Sequence, residues 1–536
     1  MANRLRYAPS VMFLCPGSVE ERRLDMGRWT CRALGVLVGL ALCASWAAAV
    51  TPHGLFTDNA VLQQGVEVPV WGTAKDGEKV TVKFAGQEAS TTAKDGKWMV
   101  RLKPLKAGGP SEMTIAGENT VVLKNILVGE VWVCSGQSNM AMSLVSCESA
   151  QEDIAKSADP MLRLFSVPRQ PADTPQSEVK GSWSECGPTT APGFSGVGYY
   201  FGRELRKGLK IPVGLIHSSW GGTPAEAWTS RKTLESKPEF KDVLDRYAQA
   251  VENYPQALEK HKKALEDHKV AVEKAKAEGK APPRVPYPPY GPESQQRPSC
   301  LYNGMIAPLL PYAIRGTTWY QGEANAGRAY QYRTLLPAMI QNWRQDWGTD
   351  LVFLIVQLAP YMAISPEPQE SAWAELRESQ TLTAFTVPKC GLAVITDAGD
   401  EKDIHPKKKE PAGARLALAA RAIAYGEKIV YSGPLYDSLK VEGNRAVLSF
   451  KHVGGGLVAK DGELKGFAIA GEDKKFVNAK AEIQGDKVVV TSQGVQKPVA
   501  VRYGWANFPV VNLFNKDGLP ACPFRTDDFP MTTKPK

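Results

Sequence analysis

Val131-Trp132-Val133-Cys134-Ser135-Gly136-Gln137-Ser138-Asn139-Met140 is a short apolar run that ends in a polar turn. Its first three residues read as a strand buried on both faces, the kind found in parallel sheets. The form recurs in Pro212-Val213-Gly214-Leu215-Ile216, in Leu351-Val352-Phe353-Leu354-Ile355-Val356 and in Gly391-Leu392-Ala393-Val394-Ile395-Thr396. Helical patterns lie between these runs, at residues 199–207 and 330–343. Apolar strands alternating with helices predict an α/β core with a parallel, doubly wound sheet and helices on both faces. Such sheets carry their sites at the carboxyl ends of strands. The first run ends there at Gly136-Gln137-Ser138, and the second at His217-Ser218-Ser219-Trp220-Gly221-Gly222.

Working outward, residues 50–125 change period. Lys79-Val80-Thr81-Val82-Lys83-Phe84 and Trp98-Met99-Val100-Arg101-Leu102 alternate polar and apolar and follow Asp-Gly turns, which predicts an antiparallel β-sandwich. Residues 428–536 return to strand-like alternation, as in Lys487-Val488-Val489-Val490-Thr491. The expected α/β domain spans 126–427. It is interrupted at about 237–298 by a Lys-, Glu- and Ala-rich helical insertion and a proline-rich connector, whose charge run reads as a solvated helix face.

The chain has 536 residues, is 43% hydrophobic and 23% charged, and carries a formal charge of +9. Six Arg against three acids in residues 1–49 account for part of that charge. The remainder is diffuse, with no basic stripe interleaved with aromatics, so nucleic acid is not an expected partner. Arg28 and Arg32, the apolar run 33–42 and Ala47-Ala48-Ala49 follow the order of a cleavable secretory signal, with Met26 as an alternative start. That run is too short for a bilayer span, which needs about 20 apolar residues. The mature chain is therefore expected to be exported, to the periplasm or beyond, without a membrane span. Outside this segment lie Cys134, Cys147, Cys186, Cys300, Cys390 and Cys522, with no metal-binding spacing. Cys147 with Cys186 is one conceivable disulfide, and buried thiols are the other reading.

The chemistry begins at Ser138. A serine where a strand meets a helix is either an N-cap or a nucleophile whose own amide helps hold an oxyanion. A nucleophile needs a base, and among six histidines His405 is the best placed. It closes the segment Asp397-Ala398-Gly399-Asp400-Glu401-Lys402-Asp403-Ile404-His405-Pro406, which follows a predicted strand. Asp403, Asp400 and Asp397 lie close by in sequence. Metal binding is the alternative for this cluster, although no second His or Cys stands at ligand spacing. Ser219-Trp220-Gly221-Gly222-Thr223-Pro224 offers backbone amides without obstructing side chains, and Trp319-Tyr320-Gln321-Gly322-Glu323-Ala324-Asn325 puts amides and a carboxylate side by side.

These blocks, taken in order with Asp403-Ile404-His405-Pro406, resemble the sialate O-acetylesterase family of SGNH-type hydrolases. The likeness runs over roughly residues 51–530, and the stretch from Val501-Arg502-Tyr503-Gly504-Trp505 to Pro523-Phe524-Arg525-Thr526-Asp527 shares it. It implies a three-layer α/β/α esterase core that removes acetyl groups from sugar hydroxyls without metal or organic cofactor. It implies Ser138 as nucleophile, His405 as general base and Asp403 as the residue that orients it. Many SGNH hydrolases place the acid three residues before the histidine, where this chain has Lys402, so Asp400 competes for the role. Gly222 and Gln321 are implied oxyanion donors, while Gln137, Glu323 and Asn325 shape the pocket. An acetylated plant or algal polysaccharide is an alternative substrate, and a carbohydrate-binding protein without turnover is an alternative function.

Overall fold

The computed structural model describes residues 49–535. The signal segment read at 1–49 lies almost wholly outside the described residues.

The central sheet is mixed. We number its strands β1 (Thr120–Gly136), β2 (Asp159–Ser166), β3 (Ser184–Cys186), β4 (Val213–Ser219), β5 (Gly316–Tyr320), β6 (Val352–Val356) and β7 (Cys390–Ala393). Their order across the sheet is β3-β2-β4-β1-β5-β6-β7. Every adjacent pair is parallel except β3 with β2. The long helices are α1 (Gly196–Leu209), α2 (Lys241–Ala277), α3 (Ala329–Trp347), α4 (Ala372–Thr386) and α5 (Glu410–Tyr425).

The run Val131-Trp132-Val133-Cys134 in β1 shows why this sheet is covered on both sides. Successive residues of a strand point to opposite faces. Trp132 and Cys134 pack with Phe201 and Leu205 of α1 and with Leu416 and Ala420 of α5. Val131 and Val133 belong to the opposite core, with Leu335 and Trp343 of α3 and Leu376 of α4. An uninterrupted apolar strand can bury all its side chains only in this setting.

The change of period read at residue 126 falls inside one strand. The first half of β1 pairs antiparallel with Gly108–Ala116, and its second half pairs parallel with β4 and β5. The N-terminal β-structure is therefore covalently and hydrogen-bond continuous with the central sheet, and its buried Val80, Val82, Trp98 and Val100 join the same core as Val131. The charged segment forms α2, in which Val243 is the buried residue and Pro255 lies within. Beyond α5, antiparallel strands from Leu435–Glu442 to Phe524–Arg525 enclose a separate core around Leu448, Ile469, Val488 and Tyr503. Among the described residues, no helix is long and apolar enough to cross a membrane.

The six cysteines of the described residues are free and buried, so Cys147 and Cys186 form no disulfide in this structure. Burial pushes the Cys147 thiol up to about 11, which keeps it protonated and unreactive.

Burial also sets an acid sensitivity. His53 is 1% exposed, stacks on Trp71, and accepts the Leu55 N–H at Nδ1 over 3.3 Å. Desolvation holds it down to about 4, against 6.5 for a free histidine. Between those two values the unfolded chain takes up a proton that the folded chain refuses. Stability therefore falls as pH drops through the window from 6.5 to 4, by about 3 kcal/mol at its acid end from this group. Urea unfolding at pH 7 and pH 4.5 should show the loss, and His53→Asn should reduce its slope.

Candidate active site

The sheet turns over at β1, since β4 and β2 lie to one side of it and β5, β6 and β7 to the other. The crevice beyond its carboxyl end is where such a sheet accepts a ligand. Gly136 ends the strand at φ 137°. A Cβ there would stand 2.1 Å from the Tyr320 carbonyl oxygen of β5, so no larger residue fits. The Gln137 N–H donates to that same carbonyl over 3.0 Å, and the chain enters the one-turn helix Ser138–Ala141. Gln137 occupies the N-cap position. Ser138 is the first helical residue, and its hydroxyl is not spent on capping.

That hydroxyl meets His405. Ser138 Oγ lies 2.8 Å from His405 Nε2, across 267 residues of sequence. His405 is carried by the loop that follows β7. On the other side of its ring, Nδ1 is 3.6 Å from Asp403 Oδ1, an ion-pair distance longer than a hydrogen bond. The same Oδ1 accepts the His405 backbone N–H at 2.9 Å, which fixes the carboxylate beside the ring. Asp400 is employed differently: its Oδ1 accepts the N–H groups of Lys402 at 2.8 Å and Asp403 at 3.1 Å and so closes the turn. Asp397 pairs bidentately with Arg415, which holds its carboxyl below the usual range against the opposing effect of burial. Of the three aspartates near His405 in sequence, Asp403 is the one that faces its ring. Among the described residues, no group of three or more His, Cys, Asp or Glu is placed to hold a metal ion.

The remaining expected residues divide. Gln321 is fully buried. Its Nε2 donates to Thr223 O at 3.2 Å and Asn325 Oδ1 at 2.7 Å, and its Oε1 accepts from the Tyr332 hydroxyl at 2.8 Å. The expected oxyanion role for this side chain is therefore corrected: its amide protons are committed inside the protein. Asn325 accepts the Ala225 N–H at 2.9 Å and donates to Glu226 Oε2 at 2.8 Å. Gln137 Oε1 accepts the N–H groups of Gly322 at 3.4 Å and Ala324 at 3.2 Å. These three amides brace the wall formed by the loops after β4 and β5. Gly222 sits at φ 72°, and its carbonyl accepts from Gln296 Nε2 at 2.8 Å. Its neighbour Gly221 makes the close approach, since a Cβ there would stand 3.2 Å from Ser138 Cβ.

Sequence reasoning missed a buried strut beneath the pair. Asn139, next to Ser138, donates from Nδ2 to Glu323 Oε1 and, over 3.0 Å, to the carbonyl of Ile404, next to His405. Asn139 Oδ1 accepts from Lys409 Nζ. One amide thus ties the Ser138 turn to the His405 loop. Burial raises the Glu323 carboxyl and lowers the Lys409 ammonium to about 8, with the Glu323 charge opposing the latter shift. Asn139→Ala would leave a buried carboxylate and a buried ammonium without their shared partner, a cost of about 3 kcal/mol. The loosened His405 loop should lower kcat about 100-fold with KM little changed. Thermal unfolding and steady-state kinetics of the variant check both values, and an unchanged kcat would contradict the role of the strut.

A family model described as carbohydrate esterase, sialic acid-specific acetylesterase matches residues 128–265, a span that holds Ser138, Gly221 and Gly222 but not His405. The rat sialate O-acetylesterase is 32% identical over 426 residues, covering 72% of this chain and 75% of its own. The chain belongs to the sialate O-acetylesterase family. The human sialate O-acetylesterase is 30% identical over 464 residues, covering 78% of this chain and 80% of its own. A solved carbohydrate acetylesterase from Xanthomonas citri superimposes with a TM-score of 0.77 at 38% identity, covering 89% of this chain and all of that one. As a member of this family, the chain is an esterase, a hydrolase of carboxylic esters.

Proposed function

We propose that the chain is an exported serine esterase that removes O-acetyl groups from sugars through Ser138, His405 and Asp403. The observation that carries the reading is the 2.8 Å contact between Ser138 Oγ and His405 Nε2, at the carboxyl edge of the central sheet. In this reading the parallel strands and their flanking helices form an SGNH-type core, with β-rich domains before and after it.

The reaction proceeds in two halves. Ser138 Oγ attacks the acetyl carbonyl carbon while its proton passes to His405 Nε2. Asp403 holds the imidazole in orientation and stabilises the imidazolium. The Ser138 N–H and the backbone of Gly221-Gly222 hold the oxyanion, since the Gln321 amide is occupied elsewhere. The tetrahedral intermediate collapses, the bond from carbon to sugar oxygen breaks, and His405 returns the proton to the leaving hydroxyl. Water then gives a proton to His405 and attacks the acetyl carbon. The second tetrahedral intermediate collapses, the bond from the acetyl carbon to Ser138 Oγ breaks as His405 returns the proton to Oγ, and acetate leaves.

The names of the relatives support a sugar acetate as substrate. The Xanthomonas citri carbohydrate acetylesterase, at 38% identity, is more similar than the rat sialate enzyme at 32%. That neighbour is named for carbohydrate in general and not for sialic acid, so the second reading of the substrate is an acetylated plant or algal polysaccharide. Acetate release across acetylated sialic acids, acetylated xylan and other acetylated glycans separates the two. Turnover of at least one of them is expected, and none from any acetylated glycan would overturn the proposal.

A further inference from the structure

A cavity of about 450 Å³ lies between the loop 364–370 and the C-terminal strands, and none of the active-site residues lines it. Its walls are tied at three points. The Ile364 N–H donates to Glu401 Oε1 at 3.2 Å. Asn478 Nδ2 donates to the Pro366 carbonyl at 2.9 Å. Arg502 Nη1 donates to Glu370 Oε1 at 2.8 Å. Arg502 is 4% exposed and is held from behind by Asp527 at 2.9 and 3.1 Å. Floor and rims are thus fixed before any ligand arrives, which lowers the ordering cost of binding.

The aromatic lining is only partly engaged within the protein. Guanidinium groups of Arg502 and Arg525 stand 5.0 and 5.3 Å from the Trp505 ring centre, and Arg502 lies 4.1 Å from that of Phe476. Phe508 is half-buried at the cavity, with no ring or cation stacked on it among the described residues. Beside it are Lys465, Glu367 and Gln369, all exposed, and their side chains pair with nothing among the described residues. An open aromatic face with unpaired polar groups around it complements a sugar ring, whose C–H face stacks while its hydroxyls hydrogen-bond.

The cavity also adjoins the catalytic loop. Glu401, which anchors the Ile364 rim, precedes His405 by four residues, so their backbones are at most about 14 Å apart. We propose that this cavity is a distal subsite, holding a further sugar of the same glycan chain whose acetyl ester lies at Ser138. The inference rests on the esterase reading above.

The test compares acetylated xylo-oligosaccharides and acetylated sialyl-oligosaccharides with 4-nitrophenyl acetate, which is too short to reach the cavity. In the full chain, Phe508→Ala should raise KM about tenfold for at least one of the two glycans. Both constants for 4-nitrophenyl acetate should stay at wild-type values. Unchanged KM for both glycans, or an equal loss on the small ester, would overturn the subsite. Phe508→Leu keeps the apolar bulk without the ring and should act in the same direction, which keeps the test open if the alanine variant does not fold. Titration of deacetylated oligosaccharides into the Ser138→Ala protein reads the subsite without turnover, and Phe508→Ala should weaken that binding about tenfold. Failure of the esterase reading has a different signature: acetate release that survives Ser138→Ala.

Discussion

Replacing Ser138 with alanine should lower kcat for acetyl-ester hydrolysis by about 10⁴- to 10⁶-fold. The hydroxyl is the only atom removed, and its partner is His405 Nε2 at 2.8 Å. The side chain supplies no capping bond to its short helix, so the variant should unfold at the same temperature as the parent. What activity remains is due to the oxyanion-binding backbone and to substrate binding. Acetate release and a thermal melt, run together, separate loss of chemistry from loss of fold.

His405→Ala should cost a similar factor, because a serine hydroxyl without its base is a weak nucleophile. The acids beside it should rank in a definite order. Asp403→Asn should lower kcat about 10²- to 10³-fold, less than the 10⁴ of a buried triad acid, because Asp403 is 51% exposed and 3.6 Å from the ring. Asp400→Asn should cost less, since its contacts are the turn amides of Lys402 and Asp403. The reverse order in kcat would assign the orienting role to Asp400.

The parts of the fold legible in sequence are those where burial shows in composition. β4, β6, β7 and the end of β1 from Val131 hold apolar runs, and each reads as a strand. β5 carries Thr317 and Thr318, both fully buried, and their hydroxyls have no hydrogen-bond partner among the described residues. A polar pair in the middle of a strand hides its burial, so only the pairing with β1 and β6 reveals it. The same limit applies to the site. Ser138 and His405, which meet in the structure, stand out in sequence because both follow strands that read clearly. Lys407-Lys408-Lys409 looks like three equivalent surface lysines, yet Lys407 and Lys408 are exposed while Lys409 is 1% exposed and donates to Asn139, next to Ser138. Which lysine turns inward depends on how the histidine loop enters α5, and no local signal encodes it. Gln321 illustrates the reverse error. Its place in the motif pointed to chemistry, but the direction of its side chain at the end of β5 assigns it to the wall.

The proposed mechanism requires Ser138 to be the residue that carries the acetyl group. Treating the full chain with a fluorophosphonate ester and mapping the adduct by peptide mass spectrometry tests this directly. One adduct is predicted, on the peptide containing Ser138, with acetate release lost in proportion to labelling and no adduct in Ser138→Ala. An active protein labelled at another residue, or left unlabelled while its hydrolysis continues, would contradict it.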